Sequence, residues 1–138
     1  FSGDLVEFGA TPYTGDAYLE DWPQTLNNLL EFKAEKLVPG RGDALMSADT
    51  CRQAIEETRD FLSDMYGSVK ACQAKGMNLR DTYKATMEAL SPKYGHWVIF
   101  DHCLPFDVTR AYDECQGVRD PRIWTAERDI KMWQDMEG

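Results

Sequence analysis

A chain of 138 residues, 43% of them hydrophobic, can bury one sizeable core, and a single domain is the default expectation. Its 24 acidic against 15 basic residues, a net charge of −9, argue against nucleic-acid backbones and anionic membrane surfaces, both of which attract clustered Lys and Arg. No apolar run approaches the ~20 residues a membrane helix needs, so a soluble chain is expected.

The chain begins at Phe1, with no initiator methionine and no charged-then-apolar leader. Phe1 to Asp4 reads as the end of a strand whose start is missing, which predicts an N-terminal half outside these residues. Residues 5–21 form a long loop rich in Gly, Thr, Tyr and Asp. Phe8, Tyr13 and Tyr18 are spaced along it, and either line a substrate pocket or pin the loop to the core. Asp21 is a good N-cap and Pro23 suits a first turn. Trp22, Leu26, Leu29 and Leu30 then recur at helical spacing to about Ala34. Lys36 to Val38 reads as a short strand, leading into Pro39-Gly40-Arg41-Gly42-Asp43. Glycines permit backbone approaches that other residues cannot make, so the charged side chain between two of them is placed to meet a metal or a substrate. A plain strand-to-helix turn with a solvated arginine is the alternative.

Ser47 or Asp49 caps a long helix to about Lys75, stopped by Gly76. Its stripe of Cys51, Ile55, Thr58, Leu62, Met65, Val69 and Cys72 makes a 3.5-residue seam that suits a neighbouring helix of the same chain or a homodimer. Gly67 marks a bend or a close helix contact. Asn78 caps the next helix, with Asp81 in its first turn and an apolar face of Tyr83, Met87 and Leu90. Ser91-Pro92 is expected to end it. The run from His96 to Phe100, the most apolar in the chain, suits a buried strand or a buried helical turn. Its helical surroundings favour the turn. Phe106 to Gln116 reads as a helix with Pro105 near its start and Gly117 beyond its end. Thr125 caps a last one, carrying Ile130 and Trp133 to Met136. The expected fold is α+β and mostly helical: residues 1–46 α/β, residues 47–138 an all-helical extension.

Four cysteines, Cys51, Cys72, Cys103 and Cys115, contain no CxxC pair. Cys51 and Cys72 are separated by 21 positions of one predicted helix, ~30 Å at ~1.5 Å per residue, too far for a disulfide. Reduced, mostly buried thiols in a cytoplasmic protein are expected. Asp101-His102-Cys103 invites a metal or catalytic reading, although a histidine beside an apolar run is more often structural. Tyr112-Asp113-Glu114 either hydrogen-bonds into the first part of the chain or is solvated helix surface.

Gly3-Asp4, the long loop, the Trp22 helix and Val38-Pro39-Gly40-Arg41-Gly42 together resemble the second half of a metallo-β-lactamase-fold hydrolase. In that family a strand-end Gly-Asp supplies a metal-bridging carboxylate, and a later strand ends in Pro-Gly-His-Gly. The helical remainder is similar to the extension that glyoxalase II-like branches pack over the active site. The resemblance implies a partial αββα domain in residues 1–46 and, in the intact protein, a divalent metal: zinc first, iron or manganese otherwise. It implies Asp4 as a metal ligand and a metal-bound hydroxide that attacks an ester, thioester, lactone or amide of a small-molecule substrate. Tyr13, Tyr18 and His102 are pocket candidates.

Two departures stand out. The family's His-x-His-x-Asp-His motif is absent, His96 and His102 being the only histidines. Arg41 stands where the second-site histidine belongs, and a guanidinium has no lone pair for a metal. Arg41 is instead expected to pair with Asp4, to hold a substrate anion, or to stabilise an oxyanion; an outward pair with Asp43 is the plainer alternative. Without a full ligand set the 138 residues alone are expected to bind no metal and to be inactive. A non-catalytic binding or scaffold relative that has lost its metal ligands is the competing reading, and a small helical protein that self-associates through its seam is a third.

Overall fold

The side chain of Ser47 accepts the amide hydrogen of Thr50 and starts the longest helix of the computed structural model, which describes residues 1–137. Five helices follow in chain order: α1 (Trp22–Leu30), α2 (Ala48–Ala74), α3 (Leu79–Tyr94), α4 (Phe100–Cys115) and α5 (Ala126–Glu137). Every member of the predicted α2 seam, from Cys51 to Cys72, is buried. Helices α1, α3 and α4 all pack on α2, so the seam is filled from within the chain. Val6, Leu19, Leu26, Leu37 and Leu45 share one apolar core with Phe61, Leu62, Leu104 and Val108. Among the described residues no helix is long and apolar enough to cross a membrane.

The expected partial αββα domain is not present. Among the described residues extended pairing is limited to isolated bridges: Gly3 with Pro39 and Ala10 with Val98 in parallel, Leu37 with Leu45 antiparallel. Leu37 and Leu45 exchange both backbone hydrogen bonds, at 2.9 and 2.7 Å. The ladder cannot propagate, because Pro39 has no N–H to give it and the glycine-rich turn follows at once. Leu37-Val38 is β-favouring but too short to build a sheet, and Val38 is 39% exposed. The fold is all-helical, with the first 21 residues laid over the helices as an irregular strap.

Other expectations shift by a turn or change character. Helix α1 stops at Leu30, four residues short of Ala34, and Lys33 takes a left-handed conformation. Asp21 makes no side-chain cap. Pro92 lies inside α3 and Pro105 inside α4, neither at an end. The apolar run before α4 is neither a buried strand nor a helical turn: Val98 is 62% exposed, and Ile99 turns the chain with φ +58° before Phe100 starts α4. Val98 contributes its backbone, accepting the Thr11 N–H and donating to Gly9, both at 3.0 Å, while Trp97 and Phe100 on either side pack into the core. On α3 the deepest positions include Thr82 and Thr86, with Tyr83 and Met87 half-buried beside them. On α5 the buried pair is Met132 and Met136, while Ile130 and Trp133 stay exposed.

Gly67 sits in the interior of α2 at its exposed face, and a Cβ added there would meet nothing within 4 Å. It therefore marks no close helix contact. Glycine in a helix interior costs roughly 0.5–1 kcal/mol relative to alanine. Gly67→Ala is expected to raise unfolding stability by about that amount, measured by urea titration; a loss of stability would show that the position serves a contact.

Candidate functional site

The two segments singled out by the sequence meet. Gly3 bridges Pro39, the Ser2 N–H donates to the Val38 carbonyl, and Gly40 donates to Val6, both at 3.0 Å. A Cβ on Gly40 would lie 2.2 Å from Asp4 Oδ1 and 2.8 Å from its Cα, so only glycine lets these strands of chain touch. Gly42, at φ +100°, would drive a Cβ to 2.3 Å from the Phe8 carbonyl oxygen. The strap thus lies directly on the Pro-Gly-Arg-Gly turn, with the Asp4 side chain exposed at the edge.

Arg41 pairs with neither Asp4 nor Asp43. Its Nη1 donates to Glu7 Oε1 at 2.8 Å. Glu7 is only 2% exposed, and Oε2 has no partner among the described residues. Burial pushes its carboxyl up, Arg41 draws it back down, and the charge of Asp4 pushes it up again. Thr58 fixes the Glu7 backbone, accepting its N–H at 3.2 Å. The sequence signal for Glu7 was an acid set between Val6 and Phe8 in an apolar run, where a solvated carboxylate is out of place.

A second buried carboxyl lies on α4. Asp107 is fully buried, and its Oδ1 accepts both the N–H and the hydroxyl of Thr14, at 2.7 and 2.9 Å. Its Oδ2 has no partner among the described residues. Burial pushes its pKa up to about 8, against the lowering effect of the Thr14 donors. Between the two acids, one turn earlier on α4, lies Cys103, its thiol pushed up to about 12 by burial; the charges of Asp107 and Glu7 add to that rise and Arg41 opposes it. A thiol held protonated is a poor nucleophile and a poor metal ligand.

His102 is exposed beside these groups, its ring 6.0 Å from that of Phe106. Phe106 in turn packs against Tyr13 and Trp124. Tyr13 and Tyr18 do come together: with Leu5, Asp16, Asp21 and Trp22 they line a cleft of about 370 Å³ next to Asp4 in sequence. His102 is not among its lining residues. The Tyr18 hydroxyl donates to Asp120 at 3.2 Å, and the Trp22 indole N–H donates to the Leu5 carbonyl at 3.2 Å. The Tyr13 phenol is pushed up to about 12, by burial first and then by the charges of Asp16 and Asp107, and so stays protonated.

Tyr112-Asp113-Glu114 is a bonding surface and not a solvated one. Glu114 accepts the backbone N–H groups of Leu19 and Glu20, at 2.9 and 3.0 Å. Asp113 pairs with Arg122 and Arg128. Tyr112 donates to the Met77 carbonyl at 3.2 Å.

These residues do not make a metal centre by themselves. Among the described residues no three His, Cys, Asp or Glu side chains converge as a ligand set. Asp4 contributes a single carboxylate, and its neighbour Arg41 cannot ligate. A zinc, iron or manganese ion would need its other ligands from elsewhere. No protein-family model matches the chain, and no curated protein matches it either. Fold and site together define an all-helical protein with an exposed Asp4 near a buried Glu7 that holds the exposed Arg41, and with an aromatic, acidic cleft.

The titration of Asp107 has a stability consequence. An aspartate ionises near ~3.9 in an unfolded chain, whereas Asp107 in the fold does so at about 8. Between those values the folded chain binds the extra proton, so its contribution to stability is complete in acid and is lost as pH rises toward 8. Asp107→Asn keeps an oxygen for Thr14 and removes the titration. It is expected to flatten the decline and, at pH 8, to stabilise the chain by on the order of 1 kcal/mol or more, about the worth of one pKa unit. Urea unfolding at several pH values measures this; parallel pH profiles for the two proteins would contradict it.

Proposed function

We propose that this chain works as part of a cytoplasmic metal-dependent hydrolase whose remaining metal ligands come from outside these residues. The observation that carries the reading is the contact of Asp4 with Gly40: two segments 36 residues apart in sequence meet where only glycine fits, and the exposed carboxylate lies against the residue that precedes Arg41. In this reading Asp4 is a metal ligand, to zinc before iron or manganese. Arg41 is held by the buried Glu7 through one nitrogen, which fixes the direction of a side chain still 41% exposed. A guanidinium so fixed can orient a substrate carboxylate or stabilise an oxyanion without paying for its own reorganisation. The substrate class is a small ester, thioester, lactone or amide. The competing reading, a binding or scaffold relative, draws on the same pair: Arg41 neutralising Glu7 is a sufficient structural reason to keep both, and a homodimer would then be one way to assemble.

Intact mass and metal content of the protein isolated from its source test this directly. The hydrolase reading expects a mass well above 15.8 kDa, bound metal, and loss of that metal in an Asp4→Ala variant. It expects Arg41→Ala, made together with Glu7→Gln so that no buried carboxylate is left unpaired, to retain metal and lose at least ~10-fold in turnover, the worth of a ~1.4 kcal/mol contact in the transition state. Metal content unchanged by Asp4→Ala, or a metal-free protein of 15.8 kDa, would overturn it in favour of the scaffold.

A further inference from the structure

We propose that the cleft bounded by Tyr13, Tyr18 and Trp22 is a binding site for a small organic cation, an alkylammonium group in a ligand of choline size. Three aromatic rings and two carboxylates, Asp16 and Asp21, line one cavity of about 370 Å³, with Leu5 as its apolar contribution. An aromatic face attracts a cation through its quadrupole, most strongly for Trp, and carboxylates at the rim add Coulomb attraction. An anion would meet the opposite: two like charges at the site and a net charge of −9 on the chain.

Two of the rings are built into place by their polar tips. The Trp22 N–H is taken by the Leu5 carbonyl and the Tyr18 hydroxyl by Asp120, so neither needs a ligand to satisfy its hydrogen bond. What these side chains have left to offer is their π surface. A wall fixed before the ligand arrives loses little entropy on binding. The one basic side chain paired at the rim, Arg119, reaches Asp21 at only 3.8 Å and is largely exposed, whereas Asp16 is left to the ligand. Arg128, the other nearby cation, is stacked on Trp124 at 3.8 Å and bonded to Asp113, which keeps it from filling the cleft itself.

The inference holds whether or not the chain takes part in hydrolysis, because it concerns binding alone. Its test is a titration of the 138-residue chain with choline chloride, followed by NMR shifts of the Trp22 indole N–H and the Tyr18 and Thr25 amides, with sodium chloride at equal ionic strength as control. The expected result is a saturable shift with a dissociation constant of ~1–10 mM, the range of a few exposed cation–π contacts. Asp16→Asn and Tyr18→Leu, both at exposed positions, are each expected to weaken binding about three- to fivefold while leaving the rest of the spectrum unmoved. The neutral isostere of choline, 3,3-dimethylbutanol, separates charge from shape. Equal binding of the isostere, a non-saturable response, or affinity unchanged in both variants would overturn the proposal.

Discussion

A single guanidinium joins two irregular stretches of this fold that no helix covers. Arg110 of α4 is fully buried, and its nitrogens donate to the carbonyls of Ala17, Val118 and Arg119 at 2.6–2.8 Å. Glu114, one turn on, supplies the counter-charge at 2.9 Å and spends its oxygens on the amides of Leu19 and Glu20 as well. A buried charge is tolerated only when paired and fully hydrogen-bonded, so this arrangement tolerates little displacement. It ties the strap that precedes α1 to the segment that follows α4. Both would otherwise be loops with unsatisfied backbone.

The rest of the strap is secured by the same kind of contact, one polar side chain at a time. Thr58 of α2 holds Glu7, Asp107 of α4 holds Thr14, and Trp124 donates to the Gly15 carbonyl. Irregular backbone carries polar groups that a helix or sheet would have paired internally, and here α2 and α4 provide the partners. The arrangement explains why α4 has so polar a buried face, with Asp107, Thr109, Arg110 and Asp113 all inside. It also explains the raised pKa values. Glu7 and Asp107 sit where anchors are needed and solvent is scarce, so the upward push on both carboxyls follows from the anchoring.

How much of this was legible follows from which interactions are periodic. The α2 seam repeats every three and four residues, and all seven positions are buried as read. Ser47 and Asn78 cap as their residue types demand. Gly3-Asp4 and Pro39-Gly40 lie against one another, and Tyr13 and Tyr18, spaced along the same loop, line one cleft. Sheet structure was misjudged because Leu37-Val38 has β propensity without the length to form a ladder. The run from His96 to Phe100 divides its roles, Trp97 and Phe100 packing into the core while exposed Val98 gives only backbone hydrogen bonds, and apolar composition alone does not separate the two. On α5 Met132 and Met136 are buried, whereas Ile130 and Trp133, the apolar residues the sequence puts forward, stay exposed. Glu7, Asp107 and Arg110 carry no period at all. Their roles depend on what lies opposite them, tens of residues away in sequence.

Backbone amides in the strap report most directly on whether α4 holds it. Thr14, Leu19 and Glu20 donate their N–H groups to carboxylates and not to other backbone. In native-state hydrogen exchange they are expected to open only with the core, at free energies close to those of the α2 amides. Exchange at the rate of an unstructured loop, while α2 stays protected, would mean that the strap is unattached and that the pairing of its Glu7 with Arg41 does not persist in solution.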